Sequence, residues 1–131
     1  MSADEAIFQA IVVTALVEGQ SDLDDAKVVD ALKVLDPRFA ALTDAFEAGV
    51  RAHVMLDQLG VEEALEKIVT PIVAQADRDL TFRLCARLMV ADGKTEGDEA
   101  LVLGTLQESF ALSHAHVVAV LDEERRKVPA R

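Results

Sequence analysis

Apolar residues recur at helical spacing along most of this chain, and the interruptions between the runs are short. Near the start, Ile7, Phe8, Ile11, Val12 and Ala15 fall on one stripe of 3.6-residue period. They predict a first helix from Ala3 to about Val17, closed by Gly19 as a C-terminal cap. Asp22 is placed to cap a second helix, with Asp25 three residues later in an acidic form of the capping box. Val28, Ala31, Leu32 and Leu35 form its inner face. Asp36-Pro37 ends that helix and starts another, because proline disfavours helix in the residue before it and suits the first helical position. The third helix is expected from about Pro37 to Leu59, with Leu42, Phe46, Val50 and Val54 inward and Gly60 closing it. A fourth covers about Val61 to Val69. Thr70-Pro71 marks a break, after which a fifth helix reaches Ala91 from either Pro71 or Asp77, burying Leu84, Cys85, Leu88 and Met89. The sixth spans about Gly97 to Ala111, with Val102, Leu103, Leu106 and Phe110 inward. Ser113 caps a seventh, about His114 to Arg126, which packs through Val117, Val118 and Leu121. The run Glu123 to Lys127 is charged, and residues 128–131 read as a fraying end.

Two of the interruptions are copies of one another. Glu18-Gly19-Gln20-Ser21-Asp22-Leu23-Asp24-Asp25 aligns, 74 positions on, with Asp92-Gly93-Lys94-Thr95-Glu96-Gly97-Asp98-Glu99. Glycine matches glycine, Ser21 matches Thr95, and every acidic position in one copy is acidic in the other. The register continues outward, with Phe8 against Phe82, Ala26 against Ala100, Val28 against Val102 and Leu32 against Leu106. Such self-similarity marks a duplicated helix–turn–helix unit. The expected fold is therefore all-α, about seven helices in one domain over residues 1–131. Repeat one covers about 3–36 and repeat two about 77–110.

Composition narrows the function more than the fold. The formal net charge of −11, with an isoelectric point near 4.5, is the wrong field for nucleic acid and disfavours anionic membranes. The partners that suit it are cations or basic protein patches. No apolar stretch approaches the roughly 18 residues of a membrane span, and no signal peptide opens the chain. A soluble, cytoplasmic protein is expected. The single cysteine, Cys85, excludes an intramolecular disulfide and a multi-cysteine zinc site, and its apolar surroundings make it a small buried hydrophobe.

Candidate chemistry lies in the two acidic turns. In each repeat one carboxylate closes the first helix, Glu18 or Asp92, and another opens the second, Asp25 or Glu99. Each of the latter can act as a helix cap, since the N-terminus offers backbone N–H groups and positive dipole. If the repeats pack about a pseudo-two-fold axis, the four converge. Two unit charges about 4 Å apart repel by roughly 4 kcal/mol at an effective dielectric near 20, so such a cluster needs protons or a cation. Oxygen ligands point first to Ca²⁺ or Mg²⁺, with Mn²⁺ or Zn²⁺ as further candidates. Asp22 and Glu96 are candidates for an outer shell of oxygens around the metal, while Asp24 and Asp98 suit simple solvent exposure. The turns are not EF-hands. Starting at Asp22, loop positions 5 and 6 are Ala26 and Lys27; starting at Asp92, position 12 is Leu103. His53 falls on the apolar stripe of the third helix and reads as a core histidine. His114 and His116, two apart at a helix start, cannot chelate as an i, i+4 pair does. No nucleophile motif, phosphate-binding loop or dinucleotide fingerprint occurs, so no enzymatic activity is expected.

From about Phe8 to Leu121 the chain resembles the TerB family of tellurite-resistance-associated helical proteins. The resemblance lies in a duplicated pattern, an acidic residue and Gly closing one helix and a Glu beginning the next. Asp92-Gly93 with Glu99 fits it directly; Glu18-Gly19 with Asp25 fits with both acids exchanged. The family often has an aliphatic residue where Ser21 and Thr95 stand and a small cap residue where Asp22 and Glu96 stand. The resemblance implies paired helical repeats, an acidic metal-binding centre with Glu18, Asp25, Asp92 and Glu99 as ligands, and a role in stress or metal-ion response. The alternative is a protein-interaction or regulatory module whose acidic turns serve only as caps.

Overall fold

A computed structural model of the chain describes residues 3–17, 32–34, 36–91 and 98–127, which form helices joined by turns, with no strand among them. Six α-helices are described: α1 Ala3–Val17, α2 Ala45–Leu59, α3 Val61–Val69, α4 Gln75–Ala91, α5 Asp98–Ser109 and α6 His114–Lys127. The helix expected to begin at Asp22 falls largely outside the described residues. Within it Leu32 is buried against the core.

The architecture is set by α1. Every residue from Ala6 to Leu16 is buried, whichever way it points. A helix that is apolar nearly all round must be covered on all sides, and α2, α3, α4, α5 and the Pro37–Ala41 turn all pack against it. Its two buried polar side chains are tied to neighbours. Thr14 donates to the carbonyl of Ala10 at 2.9 Å, and the Gln9 amide donates to the carbonyl of Ala48 on α2 at 3.2 Å. Phe8 meets Phe39 edge to face, with ring centroids 5.5 Å apart. Cys85 is fully buried, as its surroundings implied, with Sγ 3.2 Å from Thr14 Oγ1.

Local chemistry explains most boundaries. Asp36 caps through Oδ1, which accepts from the backbone N–H of Arg38 at 3.0 Å, and Pro37 follows at the first helical position. The continuous third helix expected from Pro37 is corrected here. Pro37–Ala41 is a short 3₁₀ turn, and α2 starts only at Ala45. The face of α2 is corrected too. Its buried side is Ala45, Ala48, Gly49 and Ala52, small residues that let α1 approach closely. Phe46 and Val54, expected inward, are 52% and 47% exposed. His53 lies at the edge of this helix, half-exposed and 3.7 Å from Asp57, so it is not a core histidine. On α6, Val120 is buried in place of Val118, which is exposed. Ser113 caps α6 as expected, accepting from the N–H of His116 at 3.1 Å. The break at Thr70-Pro71 is also present, and α4 begins at Gln75.

Two turns use left-handed backbone, with opposite suitability. Gly60, joining α2 to α3, has φ +82° and ψ 173°, a region essentially reserved for glycine. Ala111, joining α5 to α6, has φ +54°. There Leu112 N–H donates to Gln107 O at 3.0 Å and Ala111 N–H to Glu108 O at 3.2 Å, the bonding of a Schellman motif, which normally carries glycine at this position. Substitution should therefore act in opposite directions. Gly60→Ala is expected to destabilise by about 2 kcal/mol through backbone strain alone, since an added Cβ would meet nothing within 4 Å. Ala111→Gly is expected to stabilise by about 1 kcal/mol. Urea unfolding of both variants checks the pair, and shifts of the same sign would contradict the turn geometries.

Candidate functional site

The acidic turns leave the helical body from known points. Glu18, Asp22, Asp25, Asp92 and Glu96 lie outside the described residues. Of Glu99 only the backbone is described, in the first turn of α5. Around them the ends of α1, α4 and α5 are fixed. Arg38 bridges the starts of α1 and α4, its Nε 2.7 Å from Asp4 and its Nη1 3.0 Å from Asp77. Further along, Cys85 on α4 reaches Ala10 and Thr14 on α1. Contacts that advance together along both chains mean that α1 and α4 run parallel. Val17 and Ala91, their last residues, are thus at the same end of the α1–α4 pair.

The last turns of the two helices share one electrostatic feature. Aligned peptide dipoles leave partial negative charge at each helix C-terminus, ordinarily balanced by basic residues in the last turn. Neither α1 nor α4 has a basic residue there. A shallow cleft of about 500 Å³ adjoins the start of α5, lined by Leu101 together with Glu62, Glu63 and Glu66 of α3. Among the described residues no group of three or more His, Cys, Asp or Glu side chains is arranged to hold a metal ion. No described helix is long and apolar enough to cross a membrane.

Elsewhere several of the described charges are paired. Arg38 joins three segments through Asp4, Asp77 and the Asp36 cap; burial works against its charge, but the bonds to Asp77 and Asp4 outweigh it and raise its pKa. Arg51 meets Glu5 at 2.6 Å. His116 Nε2 lies 3.5 Å from Asp79 on α4, while His114 is exposed, so the two histidines do not act together. The most buried charge is Glu124, only 1% exposed. It accepts from Arg87 at 2.7 Å, Lys127 at 2.9 Å and Arg83 at 3.0 Å. In the sequence it stands out only as part of the charged run Glu123 to Lys127 at the end of the seventh helix. The available signal was Arg83 and Arg87, one turn apart on α4 and bound to need an anion.

The chain matches no family model, no curated protein and no solved structure.

Burial alone would push the Glu124 carboxyl up, but the bonds from Arg87, Lys127 and Arg83 outweigh it and lower its pKa from 4.5 to about 2. A carboxyl depressed on folding adds stability that is fully present above its unfolded pKa and lost as pH falls through the folded one. At about 1.4 kcal/mol per unit this amounts to roughly 3 kcal/mol. Glu124→Gln should therefore be less stable than the native chain by about that much at pH 7, and the gap should close between pH 4.5 and 2. Chemical unfolding at intervals across that range checks it. A gap that persists unchanged to pH 2 would mean that the carboxylate charge is not what holds α6.

Proposed function

We propose that this protein is a non-catalytic, divalent-cation-binding helical protein of the tellurite-resistance-associated type, acting in stress response in the cytoplasm. Glu18, Asp25, Asp92 and Glu99 are its ligands, with Asp22 and Glu96 as outer oxygens. One observation carries this reading. The α1–α4 contacts join residues 71 and 75 positions apart, bracketing the 74-position offset that relates the two acidic turns. Parallel packing at that offset is what two repeats related by an axis along the helices would give, and it sets Val17 and Ala91, the residues before each turn, at one end. The helix C-termini there, without basic residues in their last turns, add negative potential that an ion would balance.

A second reading, a protein-interaction module, is favoured by α2. Phe46 and Val54 are half-exposed there, with Val50 between them on one stripe.

Cation binding to the folded state alone raises stability by linkage. At 100 times its dissociation constant, the bound ion should add about 2.7 kcal/mol, visible as a higher melting temperature in Ca²⁺, Mg²⁺, Mn²⁺ or Zn²⁺ than in chelator. Identical midpoints in all five conditions would reject the metal and leave the interaction module. The variant Glu99→Gln separates ligand from cap by sign. Glutamine still serves at that capping position, so loss of a like charge should leave the metal-free protein no less stable, while cation affinity falls because a neutral amide oxygen is a poorer ligand for a hard ion. A cap alone would instead lose about 0.3–1 kcal/mol of charge–dipole energy equally with and without cation.

A further inference from the structure

Helix α6 stands apart from the rest of the fold. The main cluster of buried apolar residues draws on α1 to α5 and on Leu32 and Phe39, with no residue from α6. Among the described elements, its principal contact is α4. That contact is built separately. Phe82, Ala86 and Val90 are buried on α4 but belong to no part of the main cluster. They lie at i, i+4 and i+8, beside Asp79, Arg83 and Arg87 on the adjoining row, and together make one continuous face. Facing it, α6 offers buried Val117 and Val120, His116 opposite Asp79, and Glu123 and Glu124 opposite Arg83 and Arg87. The interface is thus self-contained, specific in its charges and reached through a short connection, Phe110 to Ser113. The connection is strained at one residue, Ala111, which holds φ +54° without being glycine. Phe110 belongs to the body, buried and 5.8 Å beneath the Arg78 guanidinium, so the separate unit begins after it.

We infer that α6 is an exchangeable helix: two copies of this chain can form a dimer in which each α6 leaves its own α4 and docks on the α4 of the other copy. The exchanged interface repeats every contact of the monomer, so the two states differ in the connection and in the entropy of association. Extending the connection takes Ala111 out of the left-handed region, and short hinges under strain promote such exchange. The inference is independent of cation binding at the opposite turns.

Charge reversal gives a test in which only exchange can succeed. Chain one carries Glu123→Arg and Glu124→Arg; chain two carries Arg83→Glu and Arg87→Glu. Within either chain the clasp now sets like charges together, and α6 should lose its amide protection. In an exchanged heterodimer both interfaces are complementary, because each altered surface meets the other chain's matching one. The two chains are unfolded in urea and refolded together, so neither need be stable alone. The expected result is a heterodimer by light scattering, with protection of residues 114–127 regained. Monomers, or α6 unprotected in the mixture, would overturn the inference. The hinge gives a second, milder measurement on chains with an intact clasp. Ala111→Gly relieves the monomer and should lower the dimer association constant roughly 30-fold, about a factor of five for each of two hinges. Ala111→Val tightens the strain and should raise it. No change, or changes in the same direction, would also overturn exchange.

Discussion

The structure depends on the burial of α1. A helix covered from Ala6 to Leu16 on every side has no solvent face to orient it, so its orientation must come from the few directional bonds it makes. Gln9 to the Ala48 carbonyl fixes it against α2. Thr14 with Cys85 fixes it against α4. At its exposed start, Asp4 and Glu5 are drawn to Arg38 and Arg51. Buried apolar area supplies the driving force and is indifferent to rotation. These four polar links, two buried and two at the rim, select one rotation and one register. The parallel pairing with α4 follows from that selection, and with it the placing of Val17 and Ala91 at one end.

What was legible in the sequence was whatever a single residue enforces locally. Gly60, Ser113, Asp36 with Pro37, and the Thr70-Pro71 break each act within one turn of the backbone, and each marks a boundary or cap in the structure. What failed was the choice of face on α2. Periodicity favours the larger apolar residues, and Phe46, Val50 and Val54 form a tidy i, i+4, i+8 row. The real contact surface is Ala45, Ala48, Gly49 and Ala52, which score weakly on any hydrophobic scale yet pack best where another helix passes close. On α1 the same ambiguity did no harm, because there every face is inner.

Glu124 was illegible for a different reason. A carboxylate in the run Glu123-Glu124-Arg125-Arg126-Lys127 looks solvated, because its neighbours in sequence are charged. Its partners Arg83 and Arg87 stand 41 and 37 positions away, and only the fold brings them together. The residues of the acidic turns raise the converse problem. Their pattern is legible because it repeats, but repetition fixes similarity between two segments and says nothing of the distance between them. The parallel arrangement of α1 and α4 supplies the missing link for the helix ends, though not for the carboxylates themselves.

The distribution of charge separates the two ends of the α1–α4 pair. At the starts of these helices acids meet bases: Asp4 and Asp77 share Arg38, and Glu5 holds Arg51. Such acids add stability to the fold, or at least cost it nothing. At the other end the last turns of α1 and α4 carry no basic residue, and the chain then enters two segments with four acids in Asp92 to Glu99 and four in Glu18 to Asp25. A chain with a net charge of −11 already destabilises its compact state by self-repulsion, and the helix C-termini carry partial negative charge of their own. Capping accounts for one carboxylate per helix start. Lys94 supplies one positive charge within these segments, and the acids beyond the caps and that lysine are the ground on which the cation proposal rests.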